Sequence, residues 1–495
     1  MSETALLLPP GVNTQTMKNF RTPLRYVVIV VIIFMQNNTD VLGSSAFSQY
    51  IYSWLRKTIP SNTSLVTNVN SSVSDDCPNI SNDTKGNEAE AQSQAAKWNL
   101  YFDLTQNLLT LFSMITFAML SDNLGRKILL LLPFVGNILL TLVQATIIYF
   151  ELSLAFEFIG QALSGILGSL DTFAVACNVI VADVTPPGKQ VIIAYAVLEA
   201  LNGISRVIGS FATGYCIKYT GFFYSTLGAT ALSVCGFLLA LFGIPETRPK
   251  RDAERTVSGI SEATSDTKSK NSVLHCLRSL VEFYIDKNKY PRKIIFWLCL
   301  IICILLMMPT QSRWDLTTLL QLGFPFCWSP TTMGYYNAAQ QLLSSFLGFL
   351  LLKPLQNCLS SGVIGVCSLI SAIVCYVMTG LAWTDAVFFI AIVAGAPMYL
   401  CFPIARGIAS KAAGPEKQGA LFAGITAAEI ITRMAATAVF NTIYSMTVSW
   451  VRGFAFIVMA FVNFIALFFM VWLARYDTPE DKHENTDIDA PLNAT

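Results

Sequence analysis

Charge is scarce in this chain. Of its 495 residues only 13% are Asp, Glu, Lys or Arg, about half the ~25% usual in a soluble globular protein. Histidine is scarcer still: the two present, His275 and His483, lie outside every long apolar run. There is no HExxH, no Gly-rich phosphate loop and no Cys/His cluster with metal-ligand spacing. The expectation is therefore a protein that is not an enzyme and holds no metal and no cofactor. A net charge of +1 supplies no basic field for nucleic acid, which leaves lipid and small solutes as partners. Residues 1–20 lack a basic start followed at once by an apolar run and a small-residue cleavage site, so the first apolar run is expected to direct insertion in place of a signal peptide.

Apolar sequence is abundant, at 54% of residues and a mean hydropathy of +0.54. Runs of spanning length fall at 25–51, 98–120, 128–149, 152–182, 191–215 and 221–244, then at 293–321, 333–353, 361–383, 385–410, 418–444 and 449–474. A polar stretch, 245–292, divides six from six. The expected fold is an all-α membrane protein of twelve transmembrane helices in two six-helix bundles, 25–244 and 293–474, with tails 1–24 and 475–495.

Lys and Arg gather at Lys18, Arg21 and Arg25, at Arg126 and Lys127, through the 245–292 linker, and at Lys411 and Lys417. By the positive-inside rule both tails and the linker are expected in the cytosol. Loop 52–97 then lies outside, and it carries four glycosylation sequons, at Asn62, Asn70, Asn79 and Asn82. Cys77 in that loop and Cys327 between the seventh and eighth runs would share an oxidising compartment, which allows a disulfide; Cys216, near the outer end of the fifth run, is the competing partner. The other cysteines fall mostly in apolar runs, where thiols pack as small hydrophobes.

An ionised group at the centre of a bilayer costs about 3 kcal/mol on insertion scales. This chain places Asp40, Asp103, Asp171, Glu199, Arg206, Arg313, Asp315, Arg406, Glu429 and Arg433 within its apolar runs, and a water-filled cavity is the economical explanation. Glu199, Asn202 and Arg206 stand at i, i+3 and i+7 on one helix face. Glu199 lies roughly 12 Å into its span, a depth suited to loading and releasing a proton; a permanent Glu199–Arg206 pair is the alternative. Asp103, Gln106 and Asn107 share a face, whereas Arg313 and Asp315 do not. Glu429 and Arg433 are spaced for an intrahelical salt bridge. Arg406 either snorkels to lipid headgroups or binds an anion, Pro403 before it leaving a carbonyl free. Arg206, Arg313, Arg406 and Arg433 are the candidates for binding an anionic substrate.

Between the second and third runs the chain reads Ser121-Asp122-Asn123-Leu124-Gly125-Arg126-Lys127. Gly125 permits a tight turn, Arg126 and Lys127 hold the next helix's start at the membrane face, and Asp122 is free to pair across to a neighbouring bundle. The loop resembles that of the major facilitator superfamily, with Ala118 where a glycine is usual. Further on, Leu316 to Trp328, Met333-Gly-Tyr-Tyr-Asn-Ala-Ala-Gln340, Gln418-Gly-Ala-Leu-Phe422 and Phe440-Asn-Thr-Ile-Tyr444 resemble the solute carrier 46 family, the proton-coupled folate transporters and their relatives. The resemblance implies gating by Asp122, Gly125 and Arg126, proton coupling at Glu199, proton and substrate binding at Arg406, and a Cys77–Cys327 bridge. The chain departs from the folate-transporter pattern in three places: Thr310 and Leu277 stand about where that pattern has histidines, and Gln161 where it has an arginine.

The expected function is proton-coupled symport of a small organic anion, folate-like or a lysosomal degradation product, by alternating access. A transport-inactive receptor or scaffold is the alternative. Glu3 to Leu8 fits an acidic dileucine sorting pattern, so the expected address is the plasma membrane or an endolysosomal membrane. Glycosidase treatment should lower and sharpen the band of the expressed protein on a gel; unchanged mobility would remove the glycans. A chain cut between Cys77 and Cys327 should stay joined until reductant is added.

Overall fold

The computed structural model of this chain describes residues 23–58, 82–124, 126–184, 189–244, 293–344, 354–355, 358–413 and 418–475. Asn62, Asn70, Asn79, Cys77, Gly125, the 245–292 linker and nearly all of both tails lie outside the described residues, as do the side chains of Asn82, Asp122, Arg126 and Glu199. The helices are α1 (Pro23–Thr58), α2 (Asn82–Leu124), α3 (Arg126–Phe150), α4 (Glu157–Leu167), α5 (Leu170–Val184), α6 (Lys189–Gly243), α7 (Lys293–Leu322), α8 (Pro330–Leu342), α9 (Ser361–Gly380), α10 (Asp385–Ala394), α11 (Cys401–Ala413), α12 (Gln418–Thr447) and α13 (Phe454–Ala474). Short 3-10 turns, Leu154–Phe156 and Ala396–Leu400, lead into α4 and α11. Eight stretches among the described residues are long and apolar enough to cross a membrane, and the chain is an all-α, multi-pass membrane protein.

Several elements differ from their apolar runs. Helix α1 continues past residue 51 to Thr58, its last turn carrying Arg56 and Lys57, cations that suit a helix C-terminus. Helix α2 starts at Asn82 and not near 98. Its polar first part is rich in Ala and Glu, strong helix formers, and Ala91, Ala95 and Ala96 are fully buried. The fifth and sixth runs join in α6, where only Gly221 leaves the helical conformation, at φ 76°, a value open to glycine.

The fourth and tenth runs are each broken. Between α4 and α5 the chain turns at Gly168, φ 87°, and between α10 and α11 it passes through the 3-10 turn. Broken helices in lipid need donors for the carbonyls they free. On α2, the Ser113 hydroxyl lies 2.8 Å from the carbonyls of both Gly165 and Ile166. On α9, the Ser368 hydroxyl lies 2.9 Å from those of Pro397 and Met398, and its oxygen accepts the Cys401 N–H.

The residues form two compact units. One comprises Met1–Ser261, Trp314–Ser345 and Thr437–Arg452; the other comprises Glu262–Arg313, Phe346–Ala436 and Gly453–Thr495. The first has a core that includes Ile32, Leu130, Phe134 and Phe173, with Phe134 and Phe173 edge to face at 5.6 Å. The second packs Ile302, Ala405, Ala466 and Met470 with the free thiols Cys299, Cys303 and Cys401. On α13, Phe461, Phe464 and Phe468 are exposed, as expected of a face that meets lipid.

Within the first unit α6 and α8 approach through Gly214 and Gly334: a Cβ on Gly214 would stand 2.7 Å from the Pro330 carbonyl oxygen. Gly407 has open space around it. Gly214→Val should therefore cost about 1–3 kcal/mol by overpacking and lower the unfolding temperature in detergent. Gly407→Ala should leave that temperature unchanged or raise it, since alanine favours helix by about 1 kcal/mol.

Candidate functional site: a polar cavity and its charged surroundings

The polar run Gln36-Asn-Asn-Thr-Asp40 lies on α1 and faces α6. Asn37 donates to the Asn202 side-chain carbonyl at 2.9 Å and to the Ile33 backbone carbonyl at 3.0 Å. Asn38 donates to Ser205 Oγ at 3.1 Å, and Thr39 to the Ala229 carbonyl at 3.3 Å. Arg206 and Asp171 both act electrostatically on Asp40. Asp171 stands in the first turn of α5, just past the Gly168 break, where an acid is favoured by the helix dipole.

Beside them lies a cavity of about 360 Å³ lined by Asn37, Asn178, Asn202, Arg206 and Gln341, with Phe173 and Leu198 among its apolar walls. Its volume falls within the range of small-molecule sites. Asn202 and Arg206, expected to share a face, both line it. Glu199 lies one turn before Asn202 on α6, but its side chain is outside the described residues. Asn37, Asn178 and Gln341 were missed by the sequence reading. Five consecutive polar residues inside an apolar run, 36 to 40, were the available signal, and only Asp40 was drawn from them.

Among the four candidate arginines, Arg206 alone lines this cavity. Arg406 on α11 is ion-paired to Glu429 on α12, the two side chains 39% and 13% exposed. Glu429 thus reaches across to the neighbouring helix, with Arg433 one turn along its own. Pro403 occupies the first turn of α11, where the backbone has no need of its missing N–H; the helix is already interrupted upstream by the 3-10 turn. Arg313 is buried, with Nη1 3.4 Å from Met398 Sδ and its guanidinium carbon 5.7 Å from the centre of the Tyr376 ring, a cation–π placement.

Asp315 lies beside Asp103 of α2, the two carboxyls acting on one another. The same α2–α7 seam carries Gln92 donating to the Leu319 carbonyl at 3.3 Å, and Glu88 accepting from the Phe324 N–H at 2.7 Å and from Tyr52 at 3.1 Å. Ser93 adds a bond to the Ser445 carbonyl at 2.7 Å. Arg452 donates to the Phe324 carbonyl with its guanidinium 5.0 Å from that ring's centre.

At the opposite end of α2, residues 121–124 close that helix and α3 begins at Arg126; Gly125 between them lies outside the described residues. Lys127 donates to the Leu241 carbonyl of α6. Cys327 is disulfide-bonded and Cys216 is free. No group of three or more metal-ligating side chains occurs among the described residues.

Residues 102–419 match the family model described as Major Facilitator Superfamily. The chain is 28% identical over 466 residues to the lysosomal proton-coupled steroid conjugate and bile acid symporter SLC46A3 of Gallus gallus, a match covering 91% of this chain and 94% of that one. It is 27% identical over 404 residues to the proton-coupled folate transporter of Bos taurus, covering 81% and 83%. Both are distant kin. Among solved structures, the human organic anion transporter MFSD10 (TETRAN) superposes with a TM-score of 0.57 at 14% identity, covering 91% of this chain and all of that one. A POT family transporter in complex with a thioalcohol conjugated peptide gives 0.61 at 13% identity, covering 94% and 100%. At these identities what is shared is the fold.

The Arg406–Glu429 pair can be measured directly. Glu429→Gln leaves the Arg406 charge without its carboxylate and should destabilise the protein, while Arg406→Gln added to it should cost less than the two single changes summed. A double-mutant cycle read by thermal or denaturant unfolding should give a coupling of about 1–3 kcal/mol; additivity would mean the pair contributes nothing.

Proposed function

Since this chain belongs to the Major Facilitator Superfamily, whose members are secondary-active transporters and not enzymes, we propose that it is a proton-coupled symporter of a small organic anion. The observation that carries the reading is the cavity in which Arg206 lies among neutral amides beside apolar walls. A guanidinium binds carboxylate, sulfate or phosphate through paired N–H donors, amides orient the polar part of a ligand, and Phe173 and Leu198 suit a ring-bearing body. Support comes also from the distant relatives, one a steroid conjugate and bile acid symporter and the other a folate transporter, both proton-coupled. An amphipathic organic anion of that general kind is the proposed substrate.

In this reading twelve spans form two six-helix bundles that alternate access, with both termini in the cytosol and the protein in the plasma or an endolysosomal membrane. Glu199 carries the proton, and Arg206, Arg313, Arg406 and Arg433 neutralise the substrate or hold the states that enclose it. Asp122, Gly125 and Arg126 form the latch on the cytosolic side, and the seam containing Asp103 and Asp315 closes the other. A bridge between Cys77 and Cys327 ties the outer loops, and glycans on Asn62, Asn70, Asn79 or Asn82 decorate them. Protons are the only co-substrate required.

The test is transport in reconstituted vesicles with an imposed pH gradient, using a sulfated steroid, a bile acid and folate as probes. Arg206→Gln should raise KM by about tenfold or more, the loss of roughly one charge-assisted hydrogen-bond pair. Glu199→Gln should abolish pH-driven influx while sparing exchange between equally loaded sides. Influx by Glu199→Gln with its full pH dependence would move the proton to another acid. Asp122→Asn and Arg126→Ala should reach the membrane and lose most transport.

A further inference from the structure

Glu157 was absent from the sequence-derived set of intramembrane charges, yet it is the most completely enclosed carboxyl among the described residues for which burial is given, with 0% exposure. It opens α4 directly after the 3-10 turn, and its own N–H is already bonded to the Leu154 and Ala155 carbonyls. Its Oε1 accepts two amide donors, Gln144 Nε2 of α3 at 2.9 Å and Gln161 Nε2 at 2.7 Å. Its Oε2 has no partner, and neither does the Oε1 of the same Gln144, itself only 3% exposed.

Two buried acceptors left unpaired on groups already joined by an N–H···O bond is an expensive arrangement. Turning the Gln144 amide over gives no relief, because its oxygen would then stand against the Glu157 oxygen to which Gln161 donates, and a donor would be lost. Nor is there, among the described residues, a cation that bears on Glu157. Helix α4 packs on α2, α3 and the 3-10 turn. From α3 Glu157 meets Gln144; α2 meets α4 through Gln106 on Ser164 and through Trp98 and Phe102 on Phe158. Lys97 and Asp103 of α2 and Glu151 of the preceding loop are among the charged residues on these segments, but the groups that bear on Glu157 among the described residues are the Gln144 and Gln161 amides.

We propose that Glu157 is a proton-binding site: its Oε2 carries a proton and donates it to Gln144 Oε1, so that acid and amide close a two-bond ring that clamps α3 to α4. One proton removes both orphaned acceptors and the unanswered charge together, with no bond made or broken beyond the O–H itself. The site is separate from Glu199 on α6 and does not depend on the transport reading.

Infrared spectroscopy tests this on the full chain, purified at neutral pH in a detergent free of esters. The wild type should show a protonated-carboxyl C=O band that shifts down on deuteration, and Glu157→Gln, which keeps the ring as an amide pair, should fold normally and lose that component. Gln144→Leu should keep the band and move it to higher frequency as the acceptor disappears. A carboxylic-acid region unchanged in Glu157→Gln overturns the proposal. So does an unmoved band in Gln144→Leu, which decides the matter even where the first variant fails to fold.

Discussion

In the interior of a bilayer there is no water to satisfy a polar group, and every irregularity in this chain is governed by that shortage. Unbroken helices meet it with their own hydrogen bonds. The fourth and tenth runs do not, and each is supported from the neighbouring helix by one serine hydroxyl set between two freed carbonyls: Ser113 over Gly165 and Ile166, and Ser368 over Pro397 and Met398. These runs hold corresponding places in the two halves of the sequence. Discontinuous helices in matched positions are where transporters tend to build their binding sites.

The polar side chains obey the same rule. Past the first break, Asp171 reaches the environment of Asp40 and Arg206; past the second, α11 carries Arg406 to Glu429. Neither arrangement puts a charge in lipid alone. The Glu157–Gln144–Gln161 cluster extends the rule to an acid whose described partners are amides, where the proposed proton would take the place of a counter-ion.

Much of this was legible in the sequence because it is written in one dimension. Apolar runs gave most of the described spans, Gly221 fell where the fifth and sixth runs were divided, and α2 ends within the 121–127 segment. Asn202 and Arg206 share a cavity because i and i+4 is a local relation. What escaped depends on pairing across helices. Glu429 has a cation one turn away in sequence, but its ion pair with Arg406 from another helix is a contact no periodicity records. Glu157 escaped for a different reason: it opens its helix beside a loop, where an acid is ordinarily solvated, and only packing by α3 encloses it. The early start of α2 was hidden by its polarity, since alanine and glutamate favour helix without being apolar enough to register as a span.

That early start has a mechanical consequence. Helix α2 runs unbroken from Asn82 to Leu124, 43 residues, or about 65 Å at 1.5 Å per residue, roughly twice the ~30 Å of a bilayer's hydrocarbon core. One end adjoins the Asp122 turn and the other carries Glu88 and Gln92 against the end of α7. A continuous helix resists compression, so a displacement at the turn is delivered to the distant seam at once, without relay through intervening side chains. Any movement of one end of so long a helix is therefore felt at the other as a tilt about a point between them.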